Sequence, residues 1–488
     1  MTDYSKFASI GAEPEASSMI ETFRAIGYSV ETALADIIDN SISAQAKNIW
    51  IDYEWAGADT VIAIADDGIG MNNEELIRAM RPGSFNPKAN RSPTDLGRFG
   101  LGLKTASFSQ CRKFCVYSKK KDYHSVYWTW DLDYVEEVKG WQLIQFCPHS
   151  LVADKYLDDL EAGTCVLWWD LDRLTKHTLS DSQSSKMKFM QTMDKVKKHL
   201  SMVFHRYIDK SVSIFFRGRK IESWDPYMIG CIGLQPRPRS IIDESVSVKP
   251  YILPHRTKLN PEEYEKGKGP RDSWTAHQGF YVYRNDRLLV CGDWLGMFKR
   301  EVHYDLCRIS IELPNNMDEE WQIDIKKSVA RPPSRLKDTI RAIAADARNQ
   351  AVDVYRHRGK VLQRSLGSSK SIYIWEELVK HGKRFYKINR DHPIIQNLLA
   401  ENSNKSVIEN VLCCIEETVP VPLITLSENE NIQPQAEPFE NDVKVITDLI
   451  YDFAKSLLDR GESLSQIKKI IIQIEPFDKY PEIIDSLC

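Results

Sequence analysis

The 488-residue sequence predicts an α+β protein with three parts: an N-terminal α/β sandwich, a second β-α domain, and a mainly helical C-terminal region. Helix-like and strand-like segments alternate up to about residue 200, which is typical of a sandwich. A second set of strands begins near residue 205, and amphipathic helical patterns end the chain. The predicted boundaries are 1–200, 201–360, an α/β or helical module at 361–426, an acidic linker at 427–442, and helices at 443–488.

The composition limits the classes of function. A net charge of −4 provides no global attraction to nucleic acid, so DNA binding would require a local basic patch. The 10 cysteines lack the paired spacing of a zinc site and are predicted to be reduced thiols. Neither a signal peptide nor an apolar run of about 18 residues is evident, so we expect a cytoplasmic protein without a membrane span.

The elements of the first domain follow from their apolar patterns. Strands are predicted at NIWIDYEW, DTVIAIADD, FCVYSKKK, SVYWTWDL, WQLIQF and GTCVLWWDL, because β-branched and aromatic residues dominate them. We expect helices on one side of the resulting sheet, and a helix at KMKFMQTMDKVKKHLSMVF leading out of the domain.

The second domain begins with strands at SVSIFFRGRKI, GFYVYRNDRLLVCG and CRISIELP. Asn285 and Asp286 predict a hairpin turn. The Gly/Lys/Pro-bearing segment 266–279 predicts a loop, and Pro332-Pro333 with a capping Ser334 predicts the start of a long helix.

The first candidate functional motif is the helix ETALADIIDNSISAQ. Asp36, Asn40 and Ser43 line one face, although their short polar side chains make them mediocre helix formers. A carboxylate and a carboxamide one turn apart can share a task, because the amide oxygen can ligate a hard cation while the carboxylate orients a water. The structural alternative is a capped or solvated helix face.

The second motif is ADDGIGM, directly after the apolar strand VIAIA. A strand followed by Asp-x-Gly-x-Gly allows backbone to approach a ligand closely. Asp66 at the strand end can accept a hydrogen bond from an exocyclic amine. The alternative is a simple turn before a helix cap.

The third motif is GRFGLGLKTAS. Gly97, Gly100 and Gly102 precede a helix start, so backbone N–H groups can point at phosphate oxygens. Lys104 in the first turn can add a point charge. The alternative is a flexible loop.

In this order and spacing, the three motifs resemble the GHKL ATPase superfamily, which contains gyrase B, the ninety-kilodalton heat-shock chaperone, histidine kinases, MutL and MORC proteins. The resemblance covers about residues 20–180 and is strongest to prokaryotic MORC-like (paraMORC-type) proteins. It implies a Bergerat-type ATPase sandwich that binds ATP with Mg²⁺, followed by an S5-like transducer domain.

The resemblance also implies roles for individual residues. Asn40 would hold Mg²⁺, and residues 78–99 would form a lid over the nucleotide. The implied nucleotide-binding residues are Asn40, Asp66, Gly68, Gly70, Met71, Gly97, Gly100, Leu101, Gly102, Leu103, Lys104 and Thr164. Thr164 follows Gly163 at the start of a strand and would join the adenine pocket.

The catalytic residues implied by the resemblance are Asp36 as general base and a transducer lysine that reaches the terminal phosphate. The sequence departs from the family at Asp36, where glutamate is usual, and the shorter side chain favours slow turnover. Lys327 is the expected phosphate-contacting lysine, with Lys326 as the fallback. An ordinary basic loop is the alternative interpretation of this segment.

The predicted function is an ATP-dependent molecular clamp that dimerises through its N-terminal domain when ATP binds. Candidate partners are DNA or a partner protein from DNA repair, restriction or phage defence. Basic runs at 356–370 and 380–387 could contact phosphates or could be solvated surface. The alternatives are a nucleotide-gated chaperone or scaffold without DNA binding, and an ATP binder that no longer hydrolyses.

Overall fold

The protein is described by a computed structural model. It covers residues 7, 10, 12–83, 100–175, 182–243, 246–324, 327, 329–356, 374–380, 383–401, 404–419, 439 and 443–487. The chain divides into two compact units, Met1–Lys360 and Val361–Cys488. The first unit contains an N-terminal sandwich and a second β-rich part.

The N-terminal sandwich is built on one mixed sheet. Its strands are β1 (Asn48–Glu54), β2 (Val61–Asp66), β3 (Lys113–Lys119), β4 (Val126–Asp131), β5 (Gly163–Trp169), β6 (Ser213–Phe216) and β7 (Arg219–Lys220). The strand order is β4-β3-β5-β2-β1-β6-β7. The pair β1–β6 is parallel and the other neighbours are antiparallel.

Helices cover this sheet. Those described are α1 (Ala16–Arg24), α2 (Val30–Ser43), α3 (Asn73–Met80), α4 (Gly102–Gln110), α5 (Leu132–Val138), α6 (Ser150–Leu157), α7 (Gln183–Val203) and α8 (His205–Lys210). Helix α2 starts at a capping box, in which the Ser29 hydroxyl accepts from the Thr32 N–H and the Thr32 side chain accepts from the Ser29 N–H.

Strand β2 is buried along its whole length because both faces of the sheet are covered there. Ile62 and Ile64 pack into the core shared with α1, α2, α4 and α7, as predicted. Ala63 and Ala65 point the other way and pack with Ala153 of α6. The expectation of helices on one side is therefore incomplete, since α6 covers part of the opposite face.

The second part of the unit has its own sheet and a long helix. Its strands are β8 (Gln235–Pro236), β9 (Ser240–Ile241), β10 (Ser247–Ile252), β11 (Gly279–Arg284), β12 (Arg287–Asp293) and β13 (Cys307–Leu313). The order is β12-β11-β13-β10-β8, with β9 beside β10. Asn285 and Asp286, with φ of 47° and 63°, make the predicted turn between β11 and β12. Helix α10 (Ser334–Arg356) packs on β10 and β13.

Contacts from α8 help to fix this second sheet to the sandwich. The Arg206 guanidinium stacks 3.5 Å from the centroid of the Tyr283 ring and pairs with Glu312 at 2.8 Å. The Tyr207 hydroxyl donates to the Asn285 carbonyl. Because Arg206 and Tyr207 lie on α8, these contacts set the position of the β11–β12 hairpin against the sandwich.

Three sequence-based predictions about elements are wrong. The segment SVSIFFRGRKI was predicted to open the second domain, but its strands β6 and β7 belong to the N-terminal sheet, where β6 pairs with β1. Segment 141–146 pairs with β4 at one position only, Ile144 with Thr129, so WQLIQF is not a strand. The predicted loop 266–279 begins inside helix α9 (Pro261–Lys268), which is stabilised by Pro261 at its first turn and an Asn260–Glu263 capping box. Two short 3₁₀ turns follow α9.

The second unit is mainly helical among its described residues, as predicted. A hairpin of β14 (Trp375–Lys380) and β15 (Lys383–Ile388) precedes α11 (Pro393–Glu401) and α12 (Lys405–Glu417). Further helices span Val443–Asp459, Leu464–Ile471 and Pro481–Asp485 and share one core. The predicted acidic linker lies outside the described residues except for Phe439.

Two compositional expectations can be compared with the described residues. Their cysteines carry no disulfide bond. None of their helices is long and apolar enough to cross a membrane.

Candidate functional site

A cavity of about 260 Å³ lies where α2, the end of β2 and the start of α4 meet. Most of the predicted site residues line it. They are Asp36, Asn40, Asp66, Gly70, Met71, Gly100, Gly102, Leu103, Lys104, Thr164 and Lys327. The cavity therefore collects residues from all three sequence motifs and from the second part of the unit.

The remaining predicted residues have other positions. Gly68 and Leu101 are described but do not line the cavity, and Gly97 lies outside the described residues. Of the predicted lid, residues 84–99 also lie outside the described part, as does Lys326.

Asp66 forms one polar end of the cavity. Its carboxylate accepts hydrogen bonds from the Ser41 hydroxyl at 2.7 Å and the Gly68 N–H at 2.9 Å. Burial raises the pKa of Asp66 to about 6, although these hydrogen bonds favour the charged form. The group can therefore change protonation state close to neutral pH.

Thr164 lies beside Asp66 because the two residues are partners in the β2–β5 register. Its hydroxyl lies 2.9 Å from the Ser118 hydroxyl oxygen, which in turn accepts from the Met71 N–H at 2.8 Å. These polar contacts tie the loop after β2 to the neighbouring strands.

Gly70 is required by the close approach of this loop to the sheet. It has a φ of +61°, and a Cβ at this position would lie 1.9 Å from the Lys119 carbonyl oxygen. Any side chain would displace the backbone that borders the cavity.

Asp36 lies on the α2 face of the cavity and is 2% exposed. One carboxylate oxygen accepts from the Tyr28 hydroxyl at 2.7 Å, and the other accepts from the Lys327 ammonium at 3.0 Å. Burial raises the pKa of Asp36 above its ordinary value, and the nearby Asp39 carboxylate adds to this, while Lys327 opposes it.

Asp39, one turn after Asp36, completes a buried ionic cluster. It accepts from Lys327 at 2.6 Å and from Arg287 of β12 at 2.9 Å. Burial favours its neutral form, but Arg287 and Lys327 outweigh burial and hold the pKa of Asp39 below its ordinary value. The cluster contains two carboxylates and two cations, so its formal charges cancel.

Lys327 joins the two parts of the unit through this cluster. Burial works against its charge, but Asp36 and Asp39 raise the pKa of Lys327, so its ammonium stays protonated. Its backbone has a φ of +52°, and its N–H donates to the Asp324 carbonyl at 3.0 Å. A cation from the second part thus reaches the carboxylate that the family resemblance implies as general base.

Lys104 has a different environment from the one predicted. It is 2% exposed, its ammonium donates to the Ala79 carbonyl at the end of α3 at 2.9 Å, and burial lowers its pKa to about 8. In this arrangement Lys104 is engaged with backbone, although it still lines the cavity.

Sequence reasoning missed several polar partners of the site. Asp39 had a readable signal, since it lies three residues after Asp36 and therefore on an adjoining part of the same helix face. For Tyr28 and Ser41, the sequence offered only their closeness to the helix motif. Arg287 had none, because 248 residues separate it from Asp39.

The described residues contain no group of three or more His, Cys, Asp or Glu side chains that could hold a metal ion. Asn40 is exposed and contributes a carboxamide oxygen to the cavity. Mg²⁺ in nucleotide sites commonly has one or two protein ligands, with phosphates and waters supplying the rest. A single amide ligand fits that pattern.

Comparison with known proteins finds similarity over part of the chain. Residues 28–164 match the family described as "Histidine kinase-, DNA gyrase B-, and HSP90-like ATPase". ATPase morc-1 of Caenorhabditis elegans is 33% identical over 89 residues, which are 18% of this chain and 10% of that protein. ATPase MORC2 of Homo sapiens is 32% identical over 96 residues, covering 18% and 9%. The chain thus spans about a tenth of the length of these relatives.

A solved structure is also similar. It contains the ATPase and transducer domains of DNA topoisomerase II from Balamuthia mandrillaris, with a TM-score of 0.36 and 12% identity. The match covers 68% of this chain and 86% of that one. A likeness at this score supports no conclusion about function.

We expect the affinity for an adenine nucleotide to fall as the pH drops through about 6, the pKa of Asp66. Above this pH the carboxylate can accept a hydrogen bond from the exocyclic amine, and below it protonation removes that acceptor. The loss should approach about tenfold per pH unit below the pKa. Calorimetric titration with a non-hydrolysable ATP analogue measures it, and Asp66→Asn should lack this component. An identical pH profile in Asp66→Asn would contradict the role of Asp66.

Proposed function

We propose that the protein binds and slowly hydrolyses Mg-ATP, because residues 28–164 match a GHKL ATPase family and part of the chain is similar to MORC ATPases. We further propose that nucleotide binding closes a lid, associates two chains through their N-terminal domains, and changes their engagement of DNA or of a partner protein. DNA repair, restriction or phage defence is the proposed context.

One observation carries this proposal: a cation from the second part of the unit reaches the candidate general base inside the cavity that collects the family motifs. Lys327 lies 3.0 Å from Asp36, and both line the same cavity as Asn40, Asp66 and Gly102. A simple solvated helix face, the alternative interpretation of α2, would leave Asp36 exposed and without partners from another part of the chain.

The residues at the cavity fit an adenine nucleotide with its metal. Asp66 would accept from the adenine amino group, and Asn40 would hold Mg²⁺. The start of α4 presents backbone N–H groups at Gly102, beside Asp36, where a phosphate is favoured by the positive helix end. When bound, Mg²⁺ neutralises charge on the phosphate oxygens.

The hydrolytic step assigned to this site is attack of water on the terminal phosphorus, with release of ADP. Asp36 accepts the proton of that water, and Lys327 donates a hydrogen bond to the phosphoryl oxygens as charge develops on them. Lys327 must first leave Asp36 for the phosphate. Its departure removes a positive charge from the carboxylate, so the pKa of Asp36 rises further and Asp36 becomes a stronger base.

Replacing Asp36 tests the catalytic assignment. We expect Asp36→Ala to lower the rate of phosphate release at least about a hundredfold, because a positioned general base commonly contributes that much. Asp36→Glu retains a carboxylate and should stay within about tenfold of the wild type. Glu136→Ala, which removes an exposed carboxylate on α5 outside the cavity, is the control and should not change the rate. If neither change at Asp36 alters a measurable rate, the assignment is wrong.

Lys327→Met should lower the rate of phosphate release by about 10²–10³-fold, since charge stabilisation in the transition state is lost. Nucleotide affinity should change by less than about tenfold, which separates this role from simple binding. Lys299→Met provides a control at an exposed lysine of the same part of the unit. Equal losses of affinity and turnover would indicate that Lys327 acts in ground-state binding instead.

Nucleotide-driven association is tested by the mass of the protein in solution. With Mg²⁺ and a non-hydrolysable ATP analogue, light scattering should report an increase in mass relative to the nucleotide-free chain. Asp66→Asn, which weakens the adenine contact, should need a higher analogue concentration for the same increase. An analogue that is bound by calorimetry without any change in mass or shape would contradict the clamp and leave ATP binding intact.

A further inference from the structure

A second and larger cavity, of about 1030 Å³, lies between α7, β12 and the start of α10. Eight cationic side chains and two carboxylates line it. This excess of positive charge contrasts with the chain as a whole, whose net charge is −4. We call this cavity the basic cleft. The 260 Å³ cavity of the candidate site is called the nucleotide cavity. Among the lining residues that the structure describes, the two cavities share Lys327.

Part of the positive charge of the basic cleft is compensated. Arg287 and Lys327 are neutralised by the buried carboxylates described above. Lys198 pairs with Asp272 at 2.7 Å, and Arg300 lies 3.5 Å from Asp293, itself one of the two lining carboxylates.

The other cations have no such compensation from the described residues. Lys195, Arg331 and Lys337 are exposed and form no ion pair with a described carboxylate. The Arg271 guanidinium donates to the Ala276 carbonyl at 2.9 Å and likewise forms no ion pair with a described carboxylate. Glu31 is the remaining acid of the lining, so the cleft keeps a clear positive excess.

His199, in the same lining, supports this electrostatic picture. Burial lowers its pKa to about 3, and the nearby guanidiniums of Arg287 and Arg271 add to the effect. Its imidazole is therefore neutral at physiological pH and offers one hydrogen-bond donor and one acceptor.

We propose that the basic cleft binds a compact ligand carrying two or more phosphate groups. Arginine guanidiniums recognise phosphate oxygens in a bidentate manner and lysines add point charges, so Lys195, Arg271, Arg331 and Lys337 provide matching groups on several sides. The volume of the cleft is that of a site for a nucleotide-sized ligand. A free small polyphosphate and the phosphates of a single nucleic-acid strand present the same chemistry.

The cleft also adjoins the proposed ATPase site. Lys327 and Arg287 line the basic cleft and hold the two carboxylates of α2. An anion in the cleft thus lies against the same two cations that neutralise Asp36 and Asp39. This location differs from that of the nucleotide cavity.

The test is calorimetric titration of the full chain at low salt with inorganic tripolyphosphate and, separately, with a short single-stranded oligodeoxynucleotide. The variant Lys195→Gln/Arg331→Gln/Lys337→Gln should bind about thirtyfold more weakly, and each single substitution about threefold, because exposed charge contacts contribute modestly and roughly additively. Raising the salt concentration should weaken binding by the wild type.

The matched control is Lys186→Gln/Lys188→Gln/Lys220→Gln, which removes the same charge from exposed positions outside the cleft. It should retain wild-type affinity. If the wild type binds tripolyphosphate and the cleft variant binds it more weakly, the ligand is a small polyphosphate. If only the affinity for the oligonucleotide falls in the cleft variant, the ligand is a nucleic-acid strand. No binding of either probe, or equal losses in control and cleft variants, would overturn the proposal. Titration of both variants with the ATP analogue reports separately on the nucleotide cavity.

Discussion

The structure depends on one buried ionic cluster, in which Lys327 and Arg287 face Asp36 and Asp39. Each of these charges is nearly removed from water, and removing water from a charge is costly unless an opposite charge is placed beside it. The two carboxylates lie one turn apart on α2, whereas the two cations come from the second part of the unit. The charge balance of the first helix motif therefore exists only when the two parts are correctly packed. The stacking of Arg206 on Tyr283 and the β11–β12 turn hold that packing in place.

This arrangement links the chemistry of α2 to the position of the second part. Asp36 and Asp39 are three residues apart and equally buried, yet their pKa values shift in opposite directions. Asp39 is bonded to both cations, whereas Asp36 shares only Lys327. A movement of Lys327 away from Asp36 thus changes the proton affinity of Asp36. In the proposed cycle, the movement that takes Lys327 away from Asp36 also raises the basicity of Asp36.

Much of the fold was predictable because it follows from local patterns. The apolar strands of the sandwich, the turn at Asn285 and the start of α10 all carry short-range signals, and the structure has them. The strand predicted at WQLIQF is absent, because apolar content alone does not ensure a pairing partner, and only Ile144 has one. The site was reached through three motifs and their family resemblance. Its ionic cluster was not, since the contact between Arg287 and Asp39 spans 248 residues and depends on how two sheets are packed together.

The left-handed backbone of Lys327 has a consequence for the energetics of the cluster. A non-glycine residue at φ +52° is less stable by about 1–2 kcal/mol than in its preferred conformations, because Cβ crowds the backbone carbonyl. The two ion pairs restrain the residue there. When the ammonium leaves the carboxylates, Lys327 can relax to a preferred conformation. This relaxation lowers the free-energy cost of exchanging the carboxylates for a phosphate. Glycine at this position would relieve the conformational strain but would also remove the positive charge. A lysine that supplies the charge here therefore has to adopt the strained conformation.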